Sequence, residues 1–228
     1  MRAMILAAGR GQRMAHLTAE TPKPLLRVRG HYLIEYAIYS LIKTGIKDIV
    51  INISYLREQI VSALGDGARY GIRLHYSEEA ETLGTGGGIF QALPLLGDEP
   101  FIVLSCDVIS AYPLNNLIQS PKKLAHLIFV DNPDFHREGD FCLRSDYVSQ
   151  TDGQKLTFSN IGIYRPELFA KCEPGRFQLG DLLKEAVANG QVTGEYYQGC
   201  WYNVGTQQQL LFLDSSPGLL TGCEVGIC

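Results

Sequence analysis

The sequence predicts an α/β protein: a Rossmann-like, doubly wound, mostly parallel sheet with helices on both faces and a small antiparallel extension. Three observations carry that prediction. Short continuous apolar runs alternate with helical periodicity in the first half, the first run stops at a glycine-bearing loop, and from Ala125 the texture changes to short strands divided by turn residues.

Met1–Leu6 is the first apolar run, halted at Ala7-Ala8-Gly9. Residues 33–44 place Leu33, Ile34, Ala37, Ile38, Leu41 and Ile42 on one helical face, with Gly45 as the cap. Residues 49–53 return as a strand, which makes a β-loop-α-β opening. A helix over 57–64 closing at Gly65, a strand over 72–76, a helix over 85–93 rising from a glycine-rich turn, and a buried strand over 101–106 that ends at Asp107 follow. Beyond Ala125, strands are expected at 127–130, 141–144, 147–149 and 157–164. A helix over 179–189 stopped by Gly190, a strand over 192–197 and a last helix over 206–214 capped by Thr206 complete the chain. Residues 1–216 read as one domain, divided into a nucleotide-binding part (1–124) and a second part (125–216), with 217–228 as a loose tail.

The 228 residues carry 20 Lys and Arg against 24 Asp and Glu, a net charge of −4, so no global basic field exists to hold a nucleic acid. Apolar stretches fall short of the roughly 18 to 20 residues that span a membrane, and the reading is a cytoplasmic chain with no membrane partner. Six cysteines without a CxxC pair suggest reduced thiols rather than a zinc site or a disulfide framework.

The chemistry concentrates in four places. The loop Leu6-Ala7-Ala8-Gly9-Arg10-Gly11-Gln12-Arg13-Met14 offers unobstructed backbone N–H groups to an anion and a fixed cation at Arg13. It lacks the third small residue of a dinucleotide fingerprint, where Met14 stands, and no Walker loop is present. Lys23, between Pro22 and Pro24, is a second cation on a stiff segment; Arg suits a bidentate grip on phosphate oxygens, and Lys suits a point charge at a reacting phosphorus. Residues 81–88, Glu-Thr-Leu-Gly-Thr-Gly-Gly-Gly, lead into a helix N-terminus that could hold a base or a sugar. Asp107 ends an apolar strand where open α/β sheets bind ligands, and Mg²⁺ is its natural partner.

These features, together with Trp201-x-x-Val204-Gly205-Thr206 near the end, resemble the sugar-1-phosphate nucleotidyltransferases from Met1 to about Asp214. Segments 130–133, 139–141 and 157–159 are most similar to those members that transfer uridylyl to N-acetylmuramate α-1-phosphate. The resemblance implies the nucleotide-diphospho-sugar transferase fold, Mg²⁺ as cofactor, and UTP and a sugar 1-phosphate as partners of a monomer or small homo-oligomer in cell-wall peptidoglycan recycling. It implies Arg13, Lys23 and Asp107 as catalytic residues and Leu6, Ala7, Ala8, Gly9, Gly11, Glu81, Gly84, Thr85 and Gly86 as the nucleotide site, with Glu78 or Glu81 at the uracil edge or a hydroxyl. The sugar falls to Asp140, Asn160, Gly162 and Arg137, with His136 and Arg137 as candidates for a lactyl carboxylate on charge alone. Asp107 and Asn203 would hold the metal, Asn203 standing where the family usually has an acid. Other sugar phosphates or phosphocholine with dTTP, GTP or CTP, and a non-catalytic homologue, are the alternatives that the shared opening loop leaves open.

Overall fold

A computed structural model describes residues 1–119, 123–220 and 223. Strand β1 (Ala3–Leu6) is followed by a 3-10 turn at Gln12–Met14, the one-turn helix α1 (Ala15–Thr18), a second 3-10 turn at Lys23–Leu25 and a hairpin of β2 (Arg27–Val28) and β3 (His31–Tyr32). Then come α2 (Leu33–Ile42), β4 (Asp48–Ile53), α3 (Arg57–Leu64), β5 (Arg73–Glu78), α4 (Gly84–Leu96), β6 (Phe101–Ser105) and β7 (Val108–Ser110). The second half contains β8 (Ala125–Val130), β9 (Phe141–Arg144), β10 (Tyr147–Ser149), β11 (Gln154–Tyr164), α5 (Leu179–Ala188), β12 (Val192–Tyr196), β13 (Trp201–Asn203) and α6 (Gln207–Ser215).

The main sheet has nine strands in the order β5-β4-β1-β6-β11-β8-β12-β10-β9. Strands β5, β4, β1 and β6 are parallel, as the alternation of apolar runs and helices requires. The expected antiparallel extension continues this same sheet, with β12 parallel to β8 within it. Strand β11 pairs antiparallel with β6 on one side and β8 on the other, and its first residues pair with β9. A register shift between Phe158 and Gly162, with Asn160 at φ +61°, allows one strand to serve both directions.

Alternation along the strands divides the core. Ile5, Ile49, Ile51 and Ile53 pack with α2 residues Ile34, Ile38 and Leu41 on one face, while Met4, Val50, Phe101 and Val103 pack with Ile89 of α4 and Leu183 of α5 on the other. Thr206 caps α6 as expected: its Oγ1 accepts from the Gln209 N–H at 3.2 Å, and Gln209 Oε1 accepts from the Thr206 N–H at 3.0 Å.

Two expectations about the end of the chain change. Pro217–Leu220 forms a 3-10 turn rather than a loose tail, and Leu220 and Cys223 are buried in a third cluster with Met14, Leu33, Val204 and Leu213. That turn folds Cys223 back to pair with Cys200 as a disulfide, while Cys106, Cys142 and Cys172 are free. Cys228 lies outside the described residues.

Candidate active site

The carboxyl ends of β1, β4 and β6 open onto a cavity of about 510 Å³ that Leu6, Ala8, Gly9, Gly11, Arg13, Lys23, Ser105 and Asp107 help to line. This is the crevice in which open α/β sheets hold ligands. Nothing stands within 4 Å of a Cβ built on Gly9, so backbone there is open to solvent and ligand. Gly11 has φ +63°, and a Cβ on it would stand 3.0 Å from Thr18 Cγ2 and 3.2 Å from Lys23 Cβ; only glycine suits that turn. Ala7, expected in the nucleotide site, does not line the cavity. Its N–H donates to buried Asn52 Oδ1 at 2.8 Å, which anchors the loop to β4.

Lys23 is buried on its proline-flanked turn, and its ammonium donates to Asp107 Oδ2. Asp107 Oδ1 accepts from Ser105 Oγ at 2.5 Å. The two side chains retain only 10% and 16% of their exposure, so the pair is fixed at the cavity wall. Arg13 is exposed, and a Cβ on Gly205 would come within 3.0 Å of its guanidinium, so Gly205 is the space in which Arg13 lies. The charge of Arg13 remains available to an anion in the cavity.

The glycine-rich segment behaves differently from a turn with free N–H groups. Gly84 and Thr85, the first residues of α4, line the cavity, but Gly86 and Gly87 donate their N–H groups to Phe177 O at 3.1 and 3.2 Å. A Cβ on Gly86 would sit 2.4 Å from the Phe177 ring, on Gly87 2.3 Å from Gly175 O, and on Gly88 2.5 Å from Glu79 Oε1. These glycines allow backbone to approach closely, and Gly86 is removed from the nucleotide site on that ground.

Glu81 is exposed and does not line the cavity, and Glu78 pairs with Arg57 at 3.5 Å. Glu79 does line it, only 1% exposed, its Oε1 accepting from Asn52 Nδ2 at 2.7 Å and its Oε2 from the Leu83 N–H at 2.8 Å. Ser77 and Glu79 are buried while Glu78 is exposed; that alternation beyond β5 is the signal which distinguishes Glu79 from its neighbours.

A second cavity of about 400 Å³ shares Leu6, Arg13, Thr85 and Asn160 with the first and extends over β9 and β11 toward Trp201 and Asn203. Asp140 lines it, with Oδ1 3.1 Å from His136 Nε2 and Oδ2 accepting from the Phe158 N–H at 2.8 Å. Arg137 does not: its side chain is 78% exposed and pairs with Asp134 at 2.8 Å, because the turn at Asp134–His136 directs it outward. Gly162 is also absent from the lining. Its missing Cβ accommodates the Tyr164 hydroxyl, which would stand 2.9 Å from it.

Strand β13 pairs with β7, setting Asn203 against Val108, and the Val204 N–H donates to Asp107 O at 2.8 Å. Asn203 therefore lies beside Asp107. Its Oδ1 is buried without a hydrogen-bond partner, which costs free energy unless something electropositive meets it.

A nucleotide-sized cavity with two convergent cations, joined to a second polar cavity, invites comparison with known proteins. Residues 2–141 match the family model described as nucleotidyl transferase. The chain belongs to that family. It is 45% identical to N-acetylmuramate alpha-1-phosphate uridylyltransferase of Neisseria meningitidis serogroup B, over 90% of this chain and 94% of that one. The enzyme of the same name from Caulobacter vibrioides is 31% identical over 92% of this chain and 93% of its own. In fold, the nucleotidyl transferase chain matches a putative glucose-1-phosphate thymidylyltransferase of Bacillus anthracis, with a TM-score of 0.86 at 20% identity over 100% of this chain and 98% of that one. No helix among the described residues is long and apolar enough to cross a membrane.

Proposed function

We propose that the chain joins UTP and N-acetylmuramate α-1-phosphate to give UDP-N-acetylmuramate and pyrophosphate, with Mg²⁺, in the cytoplasmic recycling of cell-wall peptidoglycan. The observation that carries this reading is the 45% identity to the Neisseria enzyme along nearly the whole of both chains. The joining of the cavity that holds the Lys23–Asp107 pair to a second cavity through Arg13, Thr85 and Asn160 supports it, because the reaction needs a nucleotide and a sugar phosphate to meet at one phosphorus.

An oxygen of the sugar phosphate bonds to the α-phosphorus of UTP, the bond from that phosphorus to the bridging oxygen of the β-phosphate breaks, and pyrophosphate leaves with the electron pair. Such transfers depend on positioning and charge neutralisation. Lys23 would set its ammonium at the α-phosphate, Arg13 would grip the departing pyrophosphate, and the open backbone at Gly9 and Gly11 would receive phosphate oxygens.

The donors present fit Mg²⁺. Asp107 keeps lone pairs beyond its two hydrogen bonds, and Asn203, whose hard, neutral Oδ1 has no partner, stands opposite the residue after it across the β7–β13 pair. Bound there with substrate phosphates, the ion would neutralise phosphate charge. With an amide in place of a second carboxylate, Asn203→Asp should lower the Mg²⁺ concentration for half-maximal activity several-fold in a metal titration; an unchanged midpoint would remove Asn203 from the metal site.

Glu79, both oxygens fixed by Asn52 and Leu83, offers an acceptor to the base edge. Uracil carries an N–H at N3, whereas cytosine has an acceptor there, so the carboxylate favours UTP over CTP. Glu79→Gln, which brings a donor as well, is expected to narrow the UTP-to-CTP ratio of kcat/KM by about tenfold or more; an unchanged ratio would place base reading elsewhere.

The reading is tested by pyrophosphate release from UTP with N-acetylmuramate α-1-phosphate beside N-acetylglucosamine 1-phosphate, glucose 1-phosphate and phosphocholine. Preference for the muramic compound is expected. Preference for another acceptor would replace the substrate, and no turnover with any acceptor would support a non-catalytic homologue.

A further inference from the structure

Four cationic side chains among the described residues line the first cavity: Arg10, Arg13, Lys23 and Arg176. Arg13 and Lys23 have uses in the transfer; the other two do not. Arg176 belongs to the end of the cavity near α4, because its neighbour Phe177 accepts the N–H groups of Gly86 and Gly87 just beyond Gly84 and Thr85. Arg10 belongs to the phosphate loop, between Gly9 and Gly11.

Arg10 is exposed, and its guanidinium carbon lies 5.8 Å from the centroid of the Tyr55 ring, within the reach of a cation–π contact. Among the described residues no carboxylate pairs with it. Tyr55 stands between β4 and α3, and its own place is fixed from below. Its hydroxyl donates to Ala19 O at 2.8 Å, and Gln59 Nε2 of α3 donates to Glu20 O at 2.9 Å, which ties this corner to the segment that leads to Lys23. An aromatic ring holds a guanidinium without neutralising it and without occupying its N–H donors, as a carboxylate would. Arg10 is therefore a cation with a backing and with its charge unspent.

We propose that Arg10 holds the terminal phosphate of the nucleoside triphosphate, with Tyr55 as the positioning residue behind it. Lys23, fixed to Asp107 at the cavity wall, marks the reacting phosphorus. Arg13 lies against Gly205, which follows β13 and so neighbours the residues after β6, whereas Arg10 lies over Tyr55, which follows β4. Strands β4 and β6 flank β1, so the two guanidinium groups stand on opposite sides of the loop that β1 feeds. The terminal phosphate is the anionic group furthest along the ligand from the reacting phosphorus, and it meets a bidentate donor that is not bound to the wall. The sugar nucleotide formed has no such phosphate. Arg10 thus contributes to binding UTP and pyrophosphate, and not to binding the sugar phosphate or the sugar nucleotide. The inference rests on the proposed UTP-dependent reaction and names a further residue that selects its nucleotide.

The experiment measures steady-state kinetics in both directions for wild type, Arg10→Ala, Tyr55→Leu and Tyr55→Phe. Arg10→Ala is expected to raise KM for UTP, and for pyrophosphate in reverse, by about tenfold, with kcat within about threefold of wild type. The KM values for N-acetylmuramate α-1-phosphate and for UDP-N-acetylmuramate should not move. Tyr55→Leu should raise the same two constants by about threefold, and Tyr55→Phe, which keeps the ring, should leave them at the wild-type values. Arg10→Ala combined with Tyr55→Leu should be no worse than Arg10→Ala alone, since the ring acts through the guanidinium. A pyrophosphate KM that stays put in Arg10→Ala, or a rise in all four constants alike, overturns the assignment and leaves the proposed reaction standing. Effects of the two substitutions that multiply in the double variant overturn the positioning role of Tyr55. A wild type that releases no pyrophosphate from UTP overturns the proposed reaction and this inference with it.

Discussion

Lys23→Ala lowers kcat by about 10²- to 10³-fold in the expected result, with a smaller change in KM for UTP. The ammonium is held at the cavity wall by Asp107, itself held by Ser105, so its charge is already in place when the α-phosphate gains negative character. A preorganised charge of this kind lowers the barrier more than it strengthens ground-state binding. The same substitution leaves the mostly buried Asp107 carboxylate with only the Ser105 hydroxyl. Removing one partner of such a pair costs roughly 2 kcal/mol here, below the usual range for deep pairs because both groups keep some solvent. The double variant Lys23→Met with Asp107→Asn should recover most of that stability in urea denaturation without recovering activity. Stability and turnover would separate in that pair of measurements; recovery of both together would mean that Lys23 acts only as a structural counter-ion.

Arg13→Ala is expected to cost about 10²-fold in kcat and to raise the KM for pyrophosphate in the reverse direction, while leaving the urea midpoint unchanged. Arg13 is exposed, and Gly205 rather than a carboxylate stands against its guanidinium, so its charge is not needed to balance a buried group. Arg13→Lys should restore only part of the loss, because a point charge cannot take two pyrophosphate oxygens in parallel. Full activity in Arg13→Lys would show that charge alone is required, and a pyrophosphate KM that does not move would place the leaving group elsewhere.

The parts of the fold that the sequence reveals are those with strong local periodicity. The helix over 57–64 and the strands over 141–144 and 147–149 have the expected bounds, and α2 ends two residues early because the Gly45 N–H closes on Ile42 O at 2.9 Å. The β2–β3 hairpin and the β7–β13 pair were not foreseen, since two or three residues are too few to display alternation. The helix expected over 85–93 is present as α4, Gly84–Leu96, against its local composition. Its four glycines disfavour a helix, but Phe177, Gly175 and Glu79 come so near that only glycine can stand there, and tertiary packing overrides local preference.

The site divides in the same way. Gly9, Gly11, Arg13 and Asp107 are legible because each stands in the segment that follows a strand, and Lys23 because two prolines hold it on a stiff turn. Glu79 is not, because its place depends on burial: it is one carboxylate among three in residues 78–81. The charge of Arg137 does not say in which direction a side chain on a short turn points.

The most direct test of the account is phosphorus NMR of the protein incubated with UTP, N-acetylmuramate α-1-phosphate and Mg²⁺, in wild-type and Lys23→Ala forms. The account predicts that wild type converts the sugar phosphate and UTP signals into those of one diphosphate diester and pyrophosphate in equal amounts, and that Lys23→Ala leaves them nearly unchanged over the same period. Unchanged signals with wild type, or equal conversion by both forms, would contradict it.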